Sequence, residues 1–145
     1  MRTIFAGSLF IMLLCTGCAV NEWDVNRYLH RFETNKEDFE ALVSHLRKEN
    51  IKVGYAVNIN QLPEHIREAL NDLDISAIAL NVTHCQGVST YEFTTSWSSK
   101  ATVYISKDEC NKEQYVKGLH TIVSQTIEVW GLGDDWIMLI DHDFI

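Results

Sequence analysis

The apolar positions of this 145-residue chain change period several times, and each change predicts an element. Trp23, Val25, Leu29 and Phe32 fall roughly on one side at helical spacing, with Asp24, Arg27 and Arg31 turned outward. Thr34 and Asn35 break this segment and can cap the next. From Lys36 to Lys48 the pattern is sharper: Phe39, Leu42, Val43 and Leu46 sit at i, i+3, i+4 and i+7. Glu37 and Asp38 occupy the first turn and Arg47 and Lys48 the last, so the charges complement the helix dipole. His45 lies beside this stripe and reads as a boundary residue rather than a ligand.

The period then drops to two. Ile51, Val53, Tyr55, Val57 and Ile59 alternate with Lys52, Gly54, Ala56 and Asn58, which predicts a strand with one buried face. Pro63 suits a first helical position, and Ile66, Ala69, Leu70 and Leu73 form the stripe of a short helix. Residues 75–84 are nearly apolar on both faces at their start, as in a central strand. Strand, helix and strand in this order could form a right-handed parallel crossover. After a turn at Gln86-Gly87, Thr90 to Trp97 predicts a third strand with Tyr91, Phe93, Thr95 and Trp97 on one face. Ser98-Ser99-Lys100 turns into a fourth, Ala101 to Ser106. The short connections imply antiparallel hairpins.

Residues 111–130 fit two patterns. Val116, Leu119, Val123, Ile127 and Trp130 suit a helix, whereas Thr121 to Val129 is rich in β-branched residues. Gly131-Leu132-Gly133-Asp134-Asp135, followed by Trp136 to Ile140, favours a terminal hairpin over about 125–141, preceded by a loop or short helix. The expected architecture is α+β: two N-terminal helices and a short connecting helix packed on a mostly antiparallel sheet.

The first residues follow a different rule. Met1-Arg2 supplies a positive charge, Ile4 to Leu14 is an almost unbroken apolar run of 11 residues, and small residues precede Cys18. This is the layout of a cleaved secretory signal, well short of the roughly twenty residues a spanning helix needs. Its last residues, Leu14-Cys15-Thr16-Gly17-Cys18, resemble the lipobox of bacterial lipoproteins. The resemblance covers this segment alone and departs from the family pattern at Cys15, where an aliphatic residue is usual. It implies cleavage between Gly17 and Cys18, a diacylglycerol on the Cys18 thiol and acylation of the new amino terminus. It also implies outer-membrane placement facing the periplasm, because Ala19 stands where an inner-membrane protein would carry Asp. At about 0.8 kcal/mol per buried methylene, several acyl chains anchor essentially permanently. A plain secreted protein and an uncleaved anchor are the other readings.

With residues 1–17 removed as a signal, 18–145 forms one acidic domain, large enough for a real core. It keeps 11 basic and 20 acidic residues, net −9. That balance excludes a nucleic-acid partner, which needs clustered Lys and Arg, and leaves membrane attachment to the acyl chains. After Lys117 there is no Lys or Arg, while Glu128, Asp134, Asp135, Asp141 and Asp143 follow. Turn and end charges account for this asymmetry most simply, and a surface for a basic protein partner is the functional alternative.

Candidate chemistry is sparse. Cys15 leaves with the signal and Cys18 takes lipid, so Cys85 and Cys110 remain, both at predicted strand ends in an oxidising compartment. They are expected to form a disulfide contributing roughly 3 kcal/mol, with a reactive thiol or a metal ligand as the alternatives. His84-Cys85 and Asp141-His142-Asp143 lack metal-site spacing, and neither a nucleophile elbow nor a phosphate loop is present. Asp134-Asp135 reads as turn chemistry. No cofactor, metal or catalytic residue is therefore assigned. Trp97, Trp130 and Trp136 are expected to fill the sheet core, although exposed tryptophans near the acidic end would mark a binding face.

Three functions fit these observations: a non-enzymatic partner-binding or immunity-like accessory protein, the leading expectation; a small hydrolase of envelope material using His84, His120 or His142; and a purely structural lipoprotein. A histidine within reach of a carboxylate in a pocket would favour the hydrolase.

Overall fold

The computed structural model describes residues 22–51, 57–82, 89–95, 101–108 and 116–142. The lipobox, His84, Cys85, Trp97, Cys110 and Asp143 lie outside these residues, as do the turns predicted at 86–87 and 98–100.

Two consecutive helices form, α1 (Glu22–Thr34) and α2 (Lys36–Lys48): α1 buries Val25 and Phe32 of its stripe together with Tyr28, which lies outside it, and leaves Leu29 partly buried, while Phe39, Leu42, Val43 and Leu46 of α2 are all buried. Asn50, at φ 49°, closes α2 in the left-handed conformation that asparagine tolerates. A single 3₁₀ turn, Ile59–Gln61, then leads through Pro63 into α3 (Glu64–Asp72), which buries Ile66 and Leu70. The strand expected over 51–59 falls mostly on residues outside those described, and its last residue belongs instead to the 3₁₀ turn. The helices are joined by polar ties: the Arg31 guanidinium pairs with Asp74 at 3.0 Å and also donates to the Leu73 carbonyl, locking the end of α1 to the end of α3.

Among the described residues six strands follow: β1 (Ile75–Val82), β2 (Ser89–Thr95), β3 (Thr102–Asp108), β4 (His120–Ile122), β5 (Ile127–Gly133) and β6 (Trp136–Asp141). They form one sheet in the order β1-β2-β3-β6-β5-β4. Every pairing among the described residues is antiparallel; the parallel crossover that could join a strand at 51–59 to that at 75–84 falls mostly on residues outside those described. The fold is α+β as expected, with the helices N-terminal to the sheet.

The terminal hairpin is present as predicted. Asp134 and Asp135 take φ of 51° and 69°, the double positive φ that a two-residue hairpin turn requires. Residues 116–126 differ from expectation. They form neither a helix nor a plain loop but contain β4, a three-residue strand on the sheet edge. The helical reading fails because Val116, Leu119 and Val123 face solvent.

The core lies between the helices and one face of the sheet. A cross-strand row runs Ile78, Phe93, Ile105, Met138, Trp130, His120. Its first four members are fully buried, Trp130 is half-buried and His120 is exposed, so the row grades from core to surface along the sheet. Beside it, Phe32, Phe39, Phe93 and Trp136 pack ring to ring with centroids 5.3–6.2 Å apart. Such contacts contribute beyond area burial alone. The Trp136 Nε1–H donates to Glu40 Oε1 at 2.6 Å, and Lys107 Nζ reaches both oxygens of the same carboxylate at 2.6 and 2.8 Å. A buried lysine is thereby paired, and it also lies 4.9 Å from the Trp136 ring centre.

Candidate functional site

One face of α1 carries Asn26, Leu29, His30 and Glu33 at i, i+3, i+4 and i+7. This stripe lies over the edge of the sheet where β5 leads into its hairpin, and between them is a groove of about 330 Å³. Leu29, Phe32, Trp130 and Leu132 line its apolar part, and the turn at Lys117-Gly118 lies at its rim. The rim is polar: Lys117 Nζ and Glu33 Oε1 pair at 2.7 Å with both side chains largely exposed, so this bridge adds little stability. Hydrogen bonding to Lys117 holds the Glu33 carboxyl below its ordinary range and raises the lysine in return. A groove of this size takes one or two side chains of a partner and lies at the small end of the range for ligand sites.

Trp130 lines the groove, and its indole Nε1–H is buried, closed to solvent and without a hydrogen-bond partner among the described residues, which costs about 1–3 kcal/mol.

His120 stacks on the Trp130 ring, with centroids 4.0 Å apart and planes inclined by 15°. Its Nε2 is 2.9 Å from Glu128 Oε2, and Nε2 of His142 is 3.0 Å from Glu128 Oε1. The sheet builds this cluster directly. Glu128 and Trp130 share a face of β5, β4 brings His120 opposite Trp130, and the His142 N–H bonds Thr126 O just beyond the end of β5. Two of the three histidines singled out in the sequence thus meet on one carboxylate.

Among the described residues both imidazoles bond to the Glu128 oxygens. Among the described residues no serine, threonine or cysteine is bonded to either imidazole, and Ser124 and Thr126 are engaged with each other and with their own loop. No group of three His, Cys, Asp or Glu side chains among the described residues is arranged to hold a metal. Trp130 belongs to both the groove and the cluster.

Among the described residues, two of the acidic side chains after Lys117 are held in pairs. Asp134 pairs with Lys36, which lowers its carboxyl below the ordinary range, and Glu128 is held by the two histidines. Of the tryptophans, Trp136 is completely buried and Trp130 half-buried, so the paired exposed tryptophans that would have marked a binding face are not found among the described residues. The groove, the Glu128 hub and the Trp130–His120 stack were not anticipated. A strand at 120–122 in register with β5 is the one signal that joins them. No protein-family model, no curated protein and no solved structure matches this chain.

Proposed function

We propose that the chain is a lipid-anchored envelope protein, held through Cys18 at the outer membrane and facing the periplasm, whose domain binds a protein partner rather than catalysing a reaction. The observation that carries this reading is the groove. It is apolar within and polar at the rim. A partner side chain seated on Leu29, Phe32 and Leu132, with a polar group of its own at the Lys117–Glu33 rim, satisfies both features. The net charge of the chain favours a basic partner.

The test is affinity capture with the full-length protein solubilised from its membrane in detergent. The native chain is expected to retain a specific protein that Leu29→Lys, which places a charge in the groove, loses at least tenfold while keeping its unfolding curve. Equal retention by both chains, or none by the native chain, overturns the reading. The anchor has its own test: Cys18→Ser is expected to leave the protein unprocessed at the signal and without acyl label, and normal processing with retained membrane binding would refute it. The Cys85–Cys110 disulfide belongs to the same proposal. Val82 pairs with Ser89 and Thr90 with Asp108, so the strand ends leading towards the two cysteines lie at one end of the sheet. Two freely alkylated thiols in the unreduced protein would exclude it.

One observation favours a second reading, a hydrolase of envelope material: His120 and His142 both reach Glu128. It predicts that the purified protein releases soluble fragments from cell-wall preparations and that Glu128→Gln stops the release. No release from either protein leaves binding as the function.

A further inference from the structure

The two edges of the sheet are treated differently. On the β1 edge the Val57 N–H donates to the Ile78 carbonyl at 3.0 Å, so part of that edge is occupied. On the β4 edge no backbone partner lies outside the strand among the described residues. The direction of its free groups follows from the bonds it makes. Leu119 O accepts from Gly131 N and Val123 N donates to Ile127 O. In an antiparallel ladder bonding alternates, so residues 119, 121 and 123 bond inward to β5, whereas His120 and Ile122 turn their N–H and C=O outward.

The side chains along this edge are equally unprotected. Val116, Leu119, Ile122 and Val123 are 64%, 49%, 68% and 64% exposed, large apolar residues within one short stretch. Edge strands are ordinarily blunted with lysine, proline or inward charge. Residues 118–127 contain no Asp, Glu, Lys, Arg or Pro. In a chain of net charge −8 this is a neutral window through which two like-charged molecules can approach.

We infer that β4 pairs antiparallel with β4 of a second copy of this chain, about a two-fold axis through Thr121, joining two six-stranded sheets into one. The register is self-complementary. His120 stands opposite Ile122 of the second copy and exchanges both backbone bonds with it, and the symmetric pair does the same, giving four new hydrogen bonds. Thr121 stands opposite its own counterpart in the non-bonded position. Leu119 faces Val123 of the second copy, so the exposed apolar residues cover one another. A closed two-fold contact of this kind ends at two molecules rather than propagating along the edge. It buries less area than a permanent dimer, so association is reversible and concentration-dependent. The inference does not depend on what the groove holds.

Cross-linking the full-length protein in detergent tests this register. In a non-bonded antiparallel pair the Cα atoms are about 4.5 Å apart, within disulfide reach. Thr121→Cys is therefore expected to give a reducible dimer on mild oxidation, above the level of the parent chain. Gln125→Cys, in the bend beyond the strand and four residues from the axis, is expected to give none. Ile122→Pro removes an N–H that points to solvent, so the monomer keeps its fold, checked by tryptophan fluorescence, while the Thr121→Cys dimer is lost. Without cross-linker, the parent mass should double as concentration rises and that of Ile122→Pro should not. Leu29→Lys should dimerise normally, which separates failure of the groove from failure of the edge. A parent that stays monomeric at all concentrations, a Thr121→Cys yield equal to that of Gln125→Cys, or cross-linking of position 121 to a different protein overturns the inference.

Discussion

At the scale of single residues, two glutamates on opposite faces of the sheet act on stability with opposite sign. Burial alone would raise the Glu40 carboxyl, but hydrogen bonds from Lys107 and Trp136 outweigh it and hold the group below its ordinary value of 4.5. A depressed carboxylate stabilises the fold above its unfolded pKa and loses that contribution as pH falls through the folded value. Glu40→Gln is therefore expected to flatten the loss of stability below about pH 4.5, measured by urea unfolding across the acid range. Lys107→Met, which leaves Glu40 with only the indole donor, should cost about 2 kcal/mol at neutral pH, moderated by the partial exposure of Glu40. Glu92 behaves in reverse: burial raises its carboxyl, so its ionisation opposes folding at neutral pH. Glu92→Gln should raise the urea midpoint at pH 7 and leave it unchanged once both forms are protonated. None of these partnerships is legible in the sequence, because Glu40, Lys107 and Trp136 are separated by 67 and 29 positions and meet only through the sheet register.

At the scale of elements, most of the pattern was readable where one face of an element is buried. The stripes of α2 and α3 and the alternation in β2 record directly which side meets the core, whereas β3 is buried on both faces from Ile105 to Asp108. β4 escaped because it buries neither face: a three-residue edge strand with exposed side chains carries no periodicity, and it is placed by β5 rather than by its own residues. The candidate site was hidden for the same reason, since Glu128, His120 and Trp130 acquire their geometry only once β4 is in register. The neighbouring turns offer a clean test of backbone cost. Gly118 and Gly133 both adopt φ above +80°, but a Cβ at Gly118 would meet open space, whereas one at Gly133 would lie 3.3 Å from the Lys117 Cβ. Gly118→Ala should cost about 1 kcal/mol and Gly133→Ala about 2 kcal/mol, the difference measuring the steric contact.

At the scale of the whole molecule, the helices and the sheet share one core whose centre is closed by the final hairpin. Trp136, Met138 and Ile140 are all completely buried and belong to the strand that lies between β3 and β5. A chain stopped before Trp136 is expected to show no cooperative thermal transition, since it lacks both the indole that anchors the aromatic cluster and the ladder that joins the two halves of the sheet. The same strand order has a consequence for biogenesis. β6 is made after both of its neighbours, so β3 and β5 wait as two unjoined ladders while the chain between them emerges. The order in which the strands are made, against the order in which they lie, keeps the two halves of the sheet apart until β6 enters between them.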